Sequence, residues 1–534
     1  MSSAPLIMTH APILRGRKRS LRTLSASENR HSRHHPLDAV TLEQRYAQHC
    51  IHDTAWQKTL AESTLSERFL PRTDNVAANV RKQTGKVFMT KTNDSETVIT
   101  VHEHVRLDPR GDSRESTAQT ASSEPVSCTG IDSVESPAES SIELARTVTT
   151  APVTIAPVQL GPITVPTPVV LSPMAGVTNW PFRVICESYG PDGLYVAEMI
   201  TARALVARNP KALRLCRFAP SEKIRSLQLY GVNPSIVEQA ARIVVDEHMA
   251  DHVDLNFGCP VPKVTRRGGG SALPWKTDLF RELIHRVVAV CSEANIPVTA
   301  KIRVGIDQDH ETFMEAGHIA QEEGCAAVTL HARTTAEYYG GHSDWNRIGE
   351  LVNVLDIPVF GNGDIWGAED ALDMVRETGC AGVAIGRGCQ GRPWLFADIK
   401  NAFAGNCERT DPALGEVCTV IERHAELLTE FYDGDERMAV HDLRKHIAWY
   451  LKGFPVGGST RKAFMECESL DDVRREIGRL DPTMRMPERV RDKPRGRVRF
   501  AKKVHLPYGW LDSRETTHEQ RETLFGDDPM DASY

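Results

Sequence analysis

Residues 235–294 read SIVEQAARIVVDEHMADHVDLNFGCPVPKVTRRGGGSALPWKTDLFRELIHRVVAVCSEA, and their pattern decides the fold. SIVEQAARIVVDEH (235–248) and TDLFRELIHRVVAVCSEA (277–294) repeat apolar residues every three or four positions, as amphipathic helices do. Between them HVDLNFGCP (252–260) is an apolar run of strand length that ends in a cysteine, with a basic pair and three glycines close behind. A strand set between amphipathic helices is the repeating unit of an α/β protein with a parallel sheet.

Working outward, the same texture recurs in PVVLSPMAG (168–176), GLYVAEMI (193–200), RSLQLYG (225–231), IPVTAKIRVG (296–305), AAVTLHART (326–334), IPVFGNGD (357–364) and GVAIGRG (382–388). With residues 252–260 these make eight strand runs separated by helical stretches, which is what an α/β fold of the (β/α)8 TIM-barrel type requires. A doubly wound open sheet is the weaker reading, because no GxGxxG follows the first strand. In a barrel the catalytic groups belong at the C-terminal ends of the strands. Polar residues gather there: Gln228, Asn256 with Cys259, Lys301 with Arg303, His331 with Arg333, Asn362 with Asp364, and Gly386 with Arg387.

Outside this core the texture differs. Residues 1–155 are rich in Ser, Thr, Arg and His with sparse aromatics, too little apolar surface to offset the entropy of ordering, so a long disordered extension is expected. GKVFMTKTNDSETVITVHEHV could form an isolated hairpin, marginal alone. His31, His34 and His35 read as a solvated cluster rather than a metal site. The first acidic residue is Glu28, a composition shared with organellar transit peptides; alternatively, the functional protein begins near residue 155. The barrel is assigned to residues 156–395. VCTVIERHAELLTEFY and MAVHDLRKHIAWYLKGF then have amphipathic spacing, which gives a small all-helical C-terminal domain over 396–480. The basic tail is assigned to 481–534; past about residue 482 it is Pro- and Arg-rich, and over 485–503 Arg485, Arg489, Arg491, Lys493, Arg495, Arg497, Arg499, Lys502 and Lys503 face only Glu488 and Asp492. Such a tail suits a polyanion, although the whole chain carries a formal charge of -7.

Twelve cysteines with no CxxC pair argue against structural zinc and against a disulfide framework, and no metal is expected. The run without charge between Arg146 and Arg183 is interrupted by seven prolines and cannot be an ordinary membrane helix. A cytoplasmic, monomeric protein without membrane contact is the expectation.

The strand ends suggest chemistry. Gly363 and Gly386 either serve tight turns or leave backbone N–H groups open to a phosphate, with Arg387 as a fixed charge beside them. Lys301 in VTAKIRV either pairs with Glu198 or Asp364 or steadies negative charge on a reduced cofactor ring. Cys259 has no local activating base; with an ordinary thiol pKa of about 8.5 it is a better proton donor than nucleophile. Lys263, Arg266 and Arg267 beside the glycine run imply an anionic substrate of some size.

With these residues assembled, the chain from about 158 to 480 resembles the bacterial tRNA-dihydrouridine synthases. The motifs that carry the likeness are LSPMAGVTNWPFR, LQLYG, DLNFGCPVPKV, GGGSAL, AKIRVG, LHART, FGNGDI and GVAIGRG, and RKHIAWYLKGFP looks like the B-type branch. The resemblance implies an FMN-dependent barrel that takes hydride from NADPH and reduces the C5–C6 double bond of a uridine in tRNA. By motif, Pro173, Met174 and Ala175 would line the flavin, and Gln228 and Lys301 would contact its ring. His331, Asn362, Gly363, Asp364, Gly386 and Arg387 would hold its tail and phosphate. Asn256 would orient flavin or uracil, and Cys259 would protonate C5. Lys263, Arg266, Arg267, Arg333, Arg444 and Lys445, with His446, would face the RNA, although Arg444 to His446 equally suit a helix cap. One departure stands out: ARTTAE replaces the family's GRTRAQ, putting Thr335 and Glu337 where a basic residue and an amide are usual. Two rivals are a flavin barrel acting on a small molecule, such as a dihydroorotate dehydrogenase, and an RNA-binding protein that has lost catalysis.

Overall fold

The computed structural model describes residues 155–495 and 503–525. The readings made for residues 1–154 fall outside this range, as do those for 496–502 and 526–534.

Eleven strands are formed by the described residues: β1 (Val158–Leu160), β2 (Ile163–Val165), β3 (Val169–Leu171), β4 (Leu194–Tyr195), β5 (Ile200–Thr201), β6 (Ser226–Tyr230), β7 (His252–Phe257), β8 (Val298–Arg303), β9 (Ala327–His331), β10 (Val359–Asn362) and β11 (Gly382–Ile385). The last nine form one parallel sheet in the order β4-β3-β11-β10-β9-β8-β7-β6-β5. β4 and β5 are two halves of one barrel strand. Val196, just past β4, bridges in parallel to Ser226 on β6, so the sheet closes on itself. The eight runs read from sequence thus become the eight strand positions of a (β/α)8 barrel.

The helices follow the apolar spacing. Pro234–Asp246 buries Val237, Ala240, Ala241 and Val244, and Asn233 caps it by accepting from the amides of Ser235 and Ile236 at 3.0 and 3.3 Å. Thr277–Ser292 buries Leu279, Phe280, Leu283, Ile284 and Val287 against the outside of the sheet.

Strand alternation decides what lines the barrel. In β7, Val253, Leu255 and Phe257 join the core under the helices, whereas His252 and Asp254 line the barrel interior. Register then builds layers of inward residues: Gln228 opposite Asp254 and Asp254 opposite Thr299; Asn256 opposite Lys301; Arg303 opposite His331 and His331 opposite Asn362. The interior grows more polar toward the C-terminal end. At the other end, Leu160 and Val165 of the β1–β2 hairpin are completely buried against Val170, Leu194, Val196 and Phe360. Part of the uncharged, proline-rich run is therefore a plug for the barrel floor, which alternation alone did not reveal.

Helices Leu414–Phe431, Glu436–Tyr450, Gly457–Glu466 and Leu470–Ile477 share a second core built on Val417, Ile421, Leu428, Leu443, Ile447 and Phe464. Trp180 and Ile185, from the helix after β3, join that core. The basic C-terminal stretch is not uniformly a tail, because residues 503–525 lie on the barrel with Trp510 buried in the main core.

Candidate active site

Polar side chains lining the barrel form one connected network that runs from the strand starts toward the C-terminal ends. Ser226 Oγ lies 2.7 Å from His252 Nδ1, and Thr299 Oγ1 lies 3.1 Å from His252 Nε2. Thr299 donates to Asp254 at 2.6 Å, and Gln228 donates to the other oxygen of the same carboxylate at 2.7 Å. Asn256 donates to Gln228 at 2.8 Å, and its own oxygen accepts from the amides of Gly258 and Cys259 at 3.3 and 3.1 Å. A chain of hydrogen bonds thus runs from the barrel interior to the backbone of Cys259.

Sequence reasoning missed Ser226, His252 and Thr299, and it missed Asp254. Burial pushes its carboxyl up against the pull of Thr299, Gln228 and Lys301. Burial likewise pushes Lys301 down, and the carboxylate opposing that shift is Asp254, neither Glu198 nor Asp364. Lys301 Nζ donates to Asn362 Oδ1 at 2.8 Å, and Asn362 donates to the Ala384 carbonyl at 2.6 Å. Glu198 instead accepts the Gly176 amide at 2.6 Å. A carboxylate two residues before an asparagine on an alternating strand was the available signal for Asp254.

Cys259 is half-buried at the end of β7, and burial raises its thiol above the usual range despite the opposing Arg303 charge. The thiol form is thereby maintained at neutral pH. Arg303 ties this loop to the next: Nε donates to the Gly258 carbonyl at 2.8 Å, and Nη1 to the carbonyls of Thr334 and Tyr338 at 2.8 and 2.9 Å.

Around His331 the charge is one-sided. Burial and the surrounding Arg303, Lys301, Arg333 and Arg387 depress its imidazole well below the ordinary value, so the ring is neutral among cations. Asp364 answers part of that charge, at 2.6 Å from Arg333 and 3.6 Å from Arg387. Tyr339, also absent from the sequence reading, places its ring 5.4 Å from the Arg303 guanidinium and 4.9 Å from that of Arg387. A pocket with this excess of cations favours an anion.

Pro173 and Met174 are half-buried and Ala175 exposed after β3. A Cβ placed on Gly386 would be in ordinary van der Waals contact with Met174 Sδ and Ser172 Cβ, both at 3.9 Å, so the β3 and β11 loops lie side by side there. Gly363 lies between Asn362 and Asp364, and its carbonyl accepts from the Trp345 indole at 3.0 Å.

The residues expected to face RNA divide. Lys263 and Arg266 are exposed and Arg267 is half-buried, all on the loop after β7. Arg333 is 1% exposed and bonded to Asp364 and to the carbonyls of Gly340 and Gly341, so it supports the site from within. Arg444 donates to the Cys467 carbonyl, and Lys445 is paired with Asp442. His446 is completely buried, tilted against Phe182 and edge-on to His424, and cannot face a ligand. Helical spacing put it on the inner face, a consequence that a basic triplet read as a unit obscured.

Among the described residues no group of three or more His, Cys, Asp or Glu converges as a metal site, and no helix is long and apolar enough to cross a membrane.

The family model described as dihydrouridine synthase matches residues 170–481, spanning the barrel and the helical region. A probable tRNA-dihydrouridine synthase of Mycobacterium tuberculosis (strain CDC 1551 / Oshkosh) is 50% identical over 351 residues, 64% of this chain and 90% of that one. The corresponding protein of Mycobacterium leprae is 48% identical over 368 residues, covering 64% and 95%. The tRNA-dihydrouridine synthase B of Pasteurella multocida is 37% identical over 297 residues, covering 55% and 87%. On that extent of agreement, across barrel and helices together, the chain belongs to the dihydrouridine synthase family.

Proposed function

We propose that the protein reduces the C5–C6 double bond of uridines in tRNA, with FMN bound at the C-terminal face of the barrel and NADPH as the electron donor. The observation that carries this reading is geometric: Arg303, opposite His331 in the sheet, bonds the loop that carries the half-buried Cys259, and Arg333 and Arg387 meet at Asp364 on the next strand end.

The residues present fit a phosphate-bearing flavin. Buried Ser172 Oγ, Arg333 Nη1 and Gln390 Oε1 lack hydrogen-bond partners among the described residues; Ser172 and Gln390 follow β3 and β11, where Gln390 reaches Met174, and Arg333 follows β9. Arg387 and the β11 loop amides would hold the phosphate, Asn362 and His331 the adjoining chain, and Gln228, Asn256 and Lys301 the ring, with Pro173, Met174 and Ala175 along its edge. When bound there, FMN would supply the hydride chemistry between NADPH and C6 of the uracil. Lys301, fixed by Asn362, would place its positive charge beside the ring. Cys259 gives its proton to C5, and the resulting thiolate is reprotonated from water. Asn256 keeps the cysteine in place during that transfer.

RNA is held by charge outside this pocket. Lys263 and Arg266 extend from the loop that carries the acid, and the helical region over 396–480 and the basic segment beyond it add phosphate contacts. Extrusion of the base from folded RNA costs on the order of a few kcal/mol, which those contacts offset. The test is anaerobic incubation of the reduced protein with tRNA lacking dihydrouridine. Reoxidation of a bound yellow flavin with formation of dihydrouridine supports the reading; a reduced flavin that ignores tRNA overturns it.

A further inference from the structure

The family match ends at residue 481, yet residues 503–525 pack against the loop that carries Cys259. Trp510 is the centre of that contact. It is 1% exposed, and its indole N–H donates to the Ala272 carbonyl at 3.0 Å. Its ring lies so close to Gly268, which has φ +71°, that a Cβ there would come within 2.5 Å of Cη2. Two residues on, a Cβ at Gly270 would come within 2.5 Å of the Cys259 carbonyl oxygen. That oxygen accepts from both the amide and the hydroxyl of Ser271 at 3.1 Å. The glycine run is therefore the place where two backbones and an indole meet.

Further contacts fasten the segment along the start of the Thr277–Ser292 helix. Lys276 Nζ donates to the carbonyls of Ser513 and Glu515 at 2.8 and 2.9 Å, and Trp275 Nε1 reaches Ser513 O at 3.0 Å. The Thr277 amide donates to Arg514 O at 2.9 Å. Arg521 bonds Asp278 and Glu282, each at 2.8 Å. A loosely held tail would not engage a buried lysine through two of its carbonyls.

We propose that residues 503–525 form a clamp on the Cys259 loop, with Trp510 as a positioning residue that fixes the Gly268–Ala272 turn and hence the point from which the thiol delivers its proton. The proposal rests on the assignment of Cys259 as proton donor. Small displacements of a reacting group lower rates steeply, so the clamp acts on the proton-transfer half of the cycle and leaves reduction of the flavin by NADPH alone.

The test uses the full-length protein and the variants Trp510→Ala, Trp510→Phe and Lys276→Met. Amide hydrogen exchange over 258–273 and alkylation of Cys259 by iodoacetamide, mapped by mass, report the loop without reference to turnover. Flavin reduction by NADPH and reoxidation by tRNA are then timed separately. Trp510→Ala is expected to speed exchange over 258–273 and to change the alkylation rate. It should slow reoxidation by about tenfold to hundredfold, with flavin content and NADPH reduction unchanged. Trp510→Phe, which keeps a ring on Gly268, restores most of the protection. Wild-type exchange and reoxidation in Trp510→Ala overturn the proposal, as does an equal loss of flavin and of both half-reactions. Should Trp510→Ala fail to fold, Lys276→Met decides: faster exchange over 258–273 supports the clamp and unchanged exchange overturns it. If the wild-type flavin is not reoxidised by tRNA, the functional reading fails, while exchange and alkylation still decide whether the clamp exists.

Discussion

Asn256 Oδ1 accepts the backbone N–H of Cys259 at 3.1 Å while Asn256 Nδ2 donates to Gln228 at 2.8 Å. One side chain therefore couples the barrel lining to the cysteine backbone. Asn256→Ala removes both links and leaves the amides of Gly258 and Cys259 without this acceptor. Turnover is expected to fall about tenfold to hundredfold, with the fold retained, as measured by single-turnover reoxidation alongside circular dichroism.

Cys259→Ala is expected to bind flavin normally and to lose about 10²- to 10⁴-fold in the rate of dihydrouridine formation, the usual contribution of a positioned general acid. The pH profile follows from burial, which raises the thiol. The active form is the protonated one, so the rate of tRNA-dependent reoxidation holds through neutral pH and falls only above the ordinary thiol value of about 8.5. A fall centred below that value would show that Cys259 is not the acid.

Arg387→Ala removes the fixed charge beside Gly386. Loss of one charge-assisted hydrogen bond corresponds to about 1.5–3 kcal/mol, so flavin affinity should drop roughly tenfold to 150-fold. Fluorescence titration of the stripped protein with FMN measures this directly, and unchanged affinity would move the phosphate elsewhere.

Lys263→Glu with Arg266→Glu alters exposed charges outside the pocket. Weaker tRNA binding is expected, with unaltered flavin reduction by NADPH. The slope of log affinity against log salt should become shallower by about 0.7 to 0.9 for each phosphate that is no longer neutralised. An unchanged slope would place the RNA elsewhere.

His446 has both ring nitrogens buried without partners among the described residues, and burial, His424 and Lys445 hold it well below its ordinary value. In the unfolded chain the imidazole takes a proton below about pH 6.5. The stability that depends on its neutrality is present above that pH and lost as pH falls below it. His446→Phe removes this contribution, so between pH 6.5 and 5 the decline in unfolding free energy should ease by about 1.4 kcal/mol per pH unit. Urea unfolding at several pH values provides the comparison.

Much of the barrel was legible because two periodicities alternate in this chain: spacings of three and four across 235–248 and 277–294, and strand-length apolar runs between them. The strand-end rule then located Cys259, Lys301, His331 and Arg387. What alternation could not supply was long-range proximity. Asp254 becomes a partner of Gln228 only through cross-strand register, and Tyr339 reaches the two arginines from a loop without periodicity. Arg333 looked like a surface cation because its partner, Asp364, comes from the next strand. Trp510 lies in a segment whose composition reads as a basic, Pro- and Arg-rich tail, and its ring packs on Gly268, more than two hundred positions earlier.

The most direct test of the central claim follows a single turnover: protein reduced with NADPH under anaerobic conditions, mixed with tRNA lacking dihydrouridine, with flavin absorbance and nucleoside mass recorded together. The flavin is expected to be reoxidised as uridine gains two hydrogens, with both events slowed about 10²- to 10⁴-fold in Cys259→Ala, which keeps its flavin. A flavin that is reduced by NADPH but reoxidised only by a small molecule, with tRNA unchanged, would contradict that claim.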